Sequence, residues 1–332
     1  MVRERRRGQF TSHEVSITIN APVDLVADDL DGDGDQDIVA ASLNGVGIYW
    51  YENDGNQNFQ SHTLGEASQA KAAIVADMDS DGDKDIVTAA IVGDSIYWFE
   101  NDGNETFTRH TVDSDAEGAN DAYAADVDSD GDMDIVATVF GRNRIYWYEN
   151  DGNQVFARRT VATQTDPTSV VATDMDGVND IDLLVSSRNN NSVYWFRNDG
   201  NQVFSRQVVT SDSISLRSAR AADVDGDGDM DVLSASFGDD TIAWFENDGN
   251  ENFARHNLAT DFDGAYDVIA SDLDGDGDLD VVAAAFLEDF IGVYYQETVD
   301  VTPPNVVSVE FNTGLIDPPD LPSRPQPTSW AM

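Results

Sequence analysis

Residues 77–85 read D-M-D-S-D-G-D-K-D. Acidic side chains stand at places 1, 3, 5, 7 and 9, with a glycine at place 6. Carboxylates this close raise one another's pKa and repel, so an unligated chain gains nothing by keeping them together. The chain nevertheless writes the pattern six times, starting at Asp29, Asp77, Asp126, Asp174, Asp223 and Asp272. Successive starts lie 48 or 49 residues apart. A fixed period of that length marks a repeat architecture.

A second motif trails the first five acidic stretches at constant distance. It reads I-Y-W-F-E-N-D-G-N-E-T-F from Ile96, and recurs from Ile48, Ile145, Val193 and Ile242. Each unit therefore reads as four short strands: an apolar one before the acidic loop, a second after it, an aromatic third, and a fourth beginning at the Phe. The alternation in residues 96–100 puts Ile96, Trp98 and Glu100 on one face and Tyr97 and Phe99 on the other. Asp-Gly in N-D-G-N supplies the positive φ of a tight hairpin. Four strands per 40–50 residues, repeated radially, predict β-propeller blades.

The two ends complement each other. The sixth unit reads I-G-V-Y-Y-Q-E-T from Ile291 and lacks the N-D-G-N strand. Residues 9–15, Q-F-T-S-H-E-V, match Q-N-F-Q-S-H-T-L of the first unit. The expected fold is all-β: a six-bladed β-propeller of four-stranded blades, closed by an N-terminal strand that completes the last blade. Residues 1–8 read as a disordered start and 9–299 as the propeller. Residues 300–332, with seven of the nine prolines, read as a linker or the start of a further domain.

A hard cation with six to eight oxygen ligands wants carboxylates at alternate places of a turning loop. The expected Ca²⁺ loops are Asp29, Asp31, Asp33, Asp35 and Asp37; Asp77, Asp79, Asp81, Asp83 and Asp85; Asp126, Asp128, Asp130, Asp132 and Asp134; Asp223, Asp225, Asp227, Asp229 and Asp231; and Asp272, Asp274, Asp276, Asp278 and Asp280. Places 1, 3, 5 and 9 offer side chains and place 7 a backbone carbonyl. The fourth loop, D-M-D-G-V-N-D-I-D, has Val178 at place 5 and Asn179 at place 6. About five ions are expected, with this site weak or empty. Mg²⁺, which keeps its waters, fits less well.

These D-x-D-x-D-G-x-x-D repeats with trailing aromatic strands resemble FG-GAP/VCBS-type repeats over about residues 9–298. The resemblance implies the propeller heads of integrin α chains and of bacterial and fungal lectin-like proteins, and with them calcium-stabilised extracellular binding. It departs from the pattern in blade number, six where seven is usual, and in the fourth loop.

Net charge is −46, from 64 acids and 18 bases. That excludes a nucleic-acid surface, which must be basic, and an anionic membrane surface. There is no Cys, hence no disulfide, thiolate metal site or Cys nucleophile. No apolar run is long enough to span a bilayer. The four histidines, His13, His62, His110 and His256, all follow the fourth-strand Phe by three residues, so they lie on different blades and cannot converge. Recurring Trp50, Trp98, Trp147, Trp195 and Trp244 read as packing between blades.

In a propeller the acidic loops and N-D-G turns share one face, and the loops between second and third strands share the other. The second face carries the residues that do not repeat: Lys71, Tyr123, Arg142, Arg144, Arg188, Arg217, Arg220 and Tyr266, with Asp121, Asp267, Asn189, Asn190 and Asn191. Six of the 18 bases fall there. Arg forks suit carboxylate and sulfate groups. The expected function is a secreted or cell-surface binding module for a glycan, or for a cell-surface or matrix ligand, within a longer multidomain protein. The alternatives are a polysaccharide lyase, using Tyr123 or Tyr266 with Arg, and a structural spacer.

Overall fold

The computed structural model describes residues 15, 19–56, 58–273, 275–287, 290–296 and 305–307. They form six four-stranded antiparallel sheets, each with its strands in chain order. The first runs through Asn20–Asp28, Asp37–Asn44, Gly47–Asn53 and Phe59–Glu66. Each following sheet repeats the plan one period later: this is the expected six-bladed propeller. Among the described residues the only helix is one 3₁₀ turn, Phe140–Arg142. Among the described residues no helix is long and apolar enough to cross a membrane.

First strands of neighbouring blades contact one another, so they line the axis. Second strands are the core. Asp85–Ala90 is buried at every position, as are Asp134–Val139, Asp182–Ser187 and Asp231–Ser236. A strand sandwiched between two blades loses its polar face, which is why these segments read as near-continuous apolar runs. The third-strand Trp residues pack between blades. Trp50 meets Phe107 of the next blade at 5.9 Å, Trp98 meets Phe156 at 6.2 Å and Trp195 meets Phe253 at 6.4 Å.

The sixth sheet consists of Ala265–Ser271, Asp280–Ala285, Phe290–Tyr295 and Asn305–Val307. Its fourth strand comes from the Pro-rich C-terminal segment, because an exposed strand edge accepts any extended segment with free backbone groups. The proposed latch of residues 9–15 lies outside the described residues, apart from Val15, which is in no strand.

The junction between sixth and first blades is the least packed. Leu25 is 67% exposed, whereas its repeat equivalents Ala73, Ala122, Val170, Ala219 and Val268 are buried. Ile291 is 46% exposed, and its five equivalents are fully buried.

Candidate metal loops and an axial pocket

Over their described residues the six acidic loops share one conformation. The place-1 carboxylate accepts a hydrogen bond from the place-6 N–H, as in Gly34 to Asp29 (3.0 Å), Gly131 to Asp126 (3.0 Å) and Gly228 to Asp223 (3.0 Å). The place-6 glycines sit at φ of +96° to +100°, which costs a residue with a Cβ. In the fourth loop Asn179 takes that place at φ +67° and still donates to Asp174 at 2.8 Å. Asn is one of the few non-glycine residues at home there, so the degenerate loop keeps its shape.

Place 9 ties the loop to its blade. Asp37, Asp85, Asp134, Asp182, Asp231 and Asp280 are fully buried. One oxygen of Asp134 accepts from the place-2 N–H of Val127 (3.1 Å), the other from the N–H of Asn150 on the third strand (2.7 Å). Asn150 then donates to the carbonyl of Met78 in the preceding blade (3.2 Å), as Asn101 does to Leu30 (3.0 Å) and Asn198 to Val127 (3.3 Å). Place 7 points elsewhere. A Cβ at Gly55, Gly103, Gly152, Gly200 or Gly249 of the N-D-G turns would collide with the carboxylate of Asp35, Asp83, Asp132, Asp180 or Asp229. The place-7 side chains therefore brace the neighbouring turn rather than close the loop.

The donor set fits a hard divalent cation. Carboxylate oxygens within 4.8 Å of one another come from Asp29, Asp31 and Asp33; from Asp77, Asp79 and Asp85; from Asp126, Asp128 and Asp134; and from Asp174, Asp176 and Asp182. Asp77, Asp128 and Asp223 each bury one oxygen with no hydrogen-bond donor. An orphaned buried acceptor costs roughly 1–3 kcal/mol, and a central cation would satisfy it. Burial pushes the Asp85, Asp182 and Asp231 carboxyls up to about 6 and Asp134 up to about 7. In the sixth loop Asp274 lies outside the described residues.

The sequence reading missed the third-strand Glu. Glu52, with Glu105 of the next blade, approaches Asp31 to form a further acidic cluster. The equivalents Glu100, Glu149 and Glu246 lie near Asp79, Asp128 and Asp225, whose pKa is raised first by burial and further by these neighbouring carboxylates. In the fourth blade this position is Arg197. Its guanidinium pairs with Asp176 of the loop (2.6 Å) and with Glu251 of the next blade (2.8 Å). The loop that lost an acid at place 5 thus has an internal cation against place 3.

On the opposite face, a cavity of about 240 Å³ opens on the axis and is lined by all six blades. Its walls are rings set by register. Five residues before each loop stand Asp24, Ala72, Asp121, Ser169, Ser218 and Asp267; six residues before stand Val23, Lys71, Asn120, Thr168, Arg217 and Tyr266. The polar members of the deeper ring link blade to blade. Asp24 accepts from the N–H of Ala73 (2.9 Å), Asp121 from that of Val170 (2.9 Å) and Ser169 from that of Ala219 (3.2 Å). Arg220 reaches Asp267 at 3.5 Å. Burial pushes Asp121 up to about 7 and Asp24 up to about 6, against the lowering pull of Arg220.

Of the residues singled out on this face, Lys71, Arg188, Arg217, Arg220, Tyr266, Asp121 and Asp267 line the pocket. Tyr123 packs in the apolar clusters of the third to fifth blades. Arg142 pairs with Asp115 on the outer surface, and Arg144 donates to the carbonyls of Arg142 and Asn143. Asn190 donates to the Tyr194 hydroxyl on the following strand, and Asn191 accepts from the N–H of Ser215. Asp24, Asn120 and Asp166 were missed, although aligning the six repeats at the residues before each loop would have found the first two. His62, His110 and His256 each bond a third-strand Glu and stack on a Trp, one set per blade. His13 lies outside the described residues.

Comparison with known proteins agrees with this plan. A search among curated proteins finds no match. An Agrocybe aegerita lectin, described as recognising non-reducing terminal N-acetylglucosamine, superposes with a TM-score of 0.63 at 20% identity, over 87% of this chain and 81% of that one. A Lactobacillus plantarum protein superposes at 0.58 with 13% identity, over 80% and 78%. The V. cholerae biofilm matrix protein Bap1 superposes at 0.50 with 19% identity, over 76% of this chain and 41% of that one. Identities this low establish the fold alone. The FG-GAP-like repeat model matches residues 29–88, 89–137, 126–177, 174–234 and 223–283, and with its acidic loops in register on every blade the chain belongs to the FG-GAP-like repeat family.

Proposed function

We propose that the chain is a calcium-stabilised extracellular binding module that holds a glycan or matrix ligand in the axial pocket. The observation that carries this reading is the pocket itself: six near-identical blades present six different residues at the outer ring and a mixture of Asp, Ser and Ala at the deeper one, and four of the molecule's scarce cations line it. A scaffold alone has no need of that asymmetry. The lectin and matrix-protein neighbours support glycan or matrix recognition as the class of ligand. Calcium is the best occupant of the loops, since hard all-oxygen sites at this spacing suit it better than Mg²⁺. Millimolar calcium outside cells would keep such sites filled.

Glycan-array binding in calcium, lost in excess EDTA, is the expected result. Release of unsaturated uronate products instead would favour the lyase reading, for which Tyr266 beside Arg217 is the one supporting feature. No binding and no turnover would leave a spacer.

A further inference from the structure

Resting on that reading, the geometry points to a single carboxylate-bearing sugar residue as the ligand of the axial pocket, its carboxylate on the Arg217 guanidinium, its hydroxyls on Asp24, Asp121 and Asn120, and Lys71 on the wall across the axis. The pocket's charged groups divide unevenly. Arg188 is spent on a bidentate pair with Asp166, at 2.8 and 3.0 Å. Arg220 lies among Asp24, Asp121 and Asp267. Arg217 and Lys71 have no ion pair among the described residues, in a chain with 64 acids to choose from.

Arg217 is also held in place. Its guanidinium carbon lies 4.9 Å from the centre of the Phe237 ring and 5.7 Å from that of Tyr266. Its Nε is buried without a hydrogen-bond partner. Desolvation lowers its pKa, so the cation is under-compensated where it stands. The guanidinium edge formed by its two terminal nitrogens offers two parallel N–H groups, a match for the two oxygens of a planar carboxylate. The remaining groups select the rest of the ligand. Asp24, Asp121 and Asn120 accept from hydroxyls, and Tyr266 gives an apolar ring face. A cavity of about 240 Å³ lies below the roughly 300–1,000 Å³ of drug-sized sites, which limits the ligand to about one ring.

The test is calorimetric titration of the full chain in millimolar calcium with sodium galacturonate, glucuronate, galactose, glucose and galactose 6-sulfate. The expected result is uronate binding with no heat from the neutral sugars. Arg217→Met should weaken it about tenfold or more, and Lys71→Met by less. Arg206→Met, on an outer strand over Tyr194, should leave it unchanged. Each variant's calcium-dependent melt must match the parent's, and Arg217, having no hydrogen bond at Nε to lose, should tolerate the change. Uronate binding indifferent to Arg217→Met would overturn the assignment. Binding of neutral or sulfated sugar alone would overturn the carboxylate while leaving the binding-module reading intact. Silence from every sugar here, with array binding elsewhere, would sink the pocket only; silence in both would sink the two together.

Discussion

The acidic loops and the axial pocket are built from the same stretch of each blade, a first strand and the loop that follows. Yet one is nearly identical six times over and the other changes from blade to blade. The physical difference is what each position can see. A loop carboxylate answers mainly to its own blade, so one good solution serves all six. A residue on the axis faces the other five blades at close range. Six copies of Asp there would put six like charges in one cavity, and at a few ångströms each pair costs on the order of several kcal/mol in a low-dielectric site. The deeper ring therefore holds three Asp, two Ser and one Ala, with Arg220 among the Asp. Symmetry suits the scaffold, and its absence creates a surface able to discriminate.

The largest test of this contrast is removal of calcium. A melt in excess EDTA should fall by about 20 °C or more relative to millimolar Ca²⁺, since each filled site adds roughly 2–3 kcal/mol of native-state stabilisation. Mass spectrometry should count about five ions per chain. An unchanged melt with no bound metal would remove calcium from the loops.

Next comes one loop against one axial position. Asp134→Ala strands the buried N–H groups of Val127 and Asn150. It should cost about 3–5 kcal/mol in urea unfolding and one ion from the count. Ser169→Ala removes the acceptor of the Ala219 N–H and the hydroxyl's bond to Ser186 (2.6 Å), and should cost only about 1–2 kcal/mol with no change in metal. Equal losses would contradict the division of labour.

Arg197→Glu sharpens the comparison within the loops. It restores the third-strand Glu of the first, second, third and fifth blades and removes the cation from Asp176. The expected outcome is one more ion per chain. A count that stays at five would show that Val178 at place 5, not Arg197, keeps the fourth loop empty.

The smallest effect is the pH response of the axis. Burial raises Asp121 from 3.8 to about 7 in the folded state. A group so raised contributes stability that is fully present below about pH 4 and is lost as pH rises through about 7. Asp121→Asn should therefore match the parent near pH 4 and exceed it by about 1–2 kcal/mol at pH 8, after allowing for solvent in the open pocket. Asp24, raised to about 6, acts in the same direction. A difference independent of pH would show that Asp121 stays ionised beside Arg220.

Local pattern decided a great deal. The period, the blade count, the conformation of residues 77–85 and the shared face of loops and N-D-G turns were all legible in residue order, because each depends on contacts within one blade. Asn179 illustrates the point: its tolerance of positive φ keeps the fourth loop closed without glycine. The Arg197 bridge was not legible, since Glu251 lies far along the chain and meets Arg197, already on Asp176 of its own blade, only when blades four and five stack. Nor was the division of the cationic face. Arg142, Arg188 and Arg217 look alike in sequence, but packing sends the first to an outer Asp, pairs the second with Asp166 and leaves the third unpaired over the pocket. The sequence by itself determined what each blade is. Only ring assembly decided which residues face one another across the axis, because that distance is set by the radius of six packed sheets and not by any spacing along the chain.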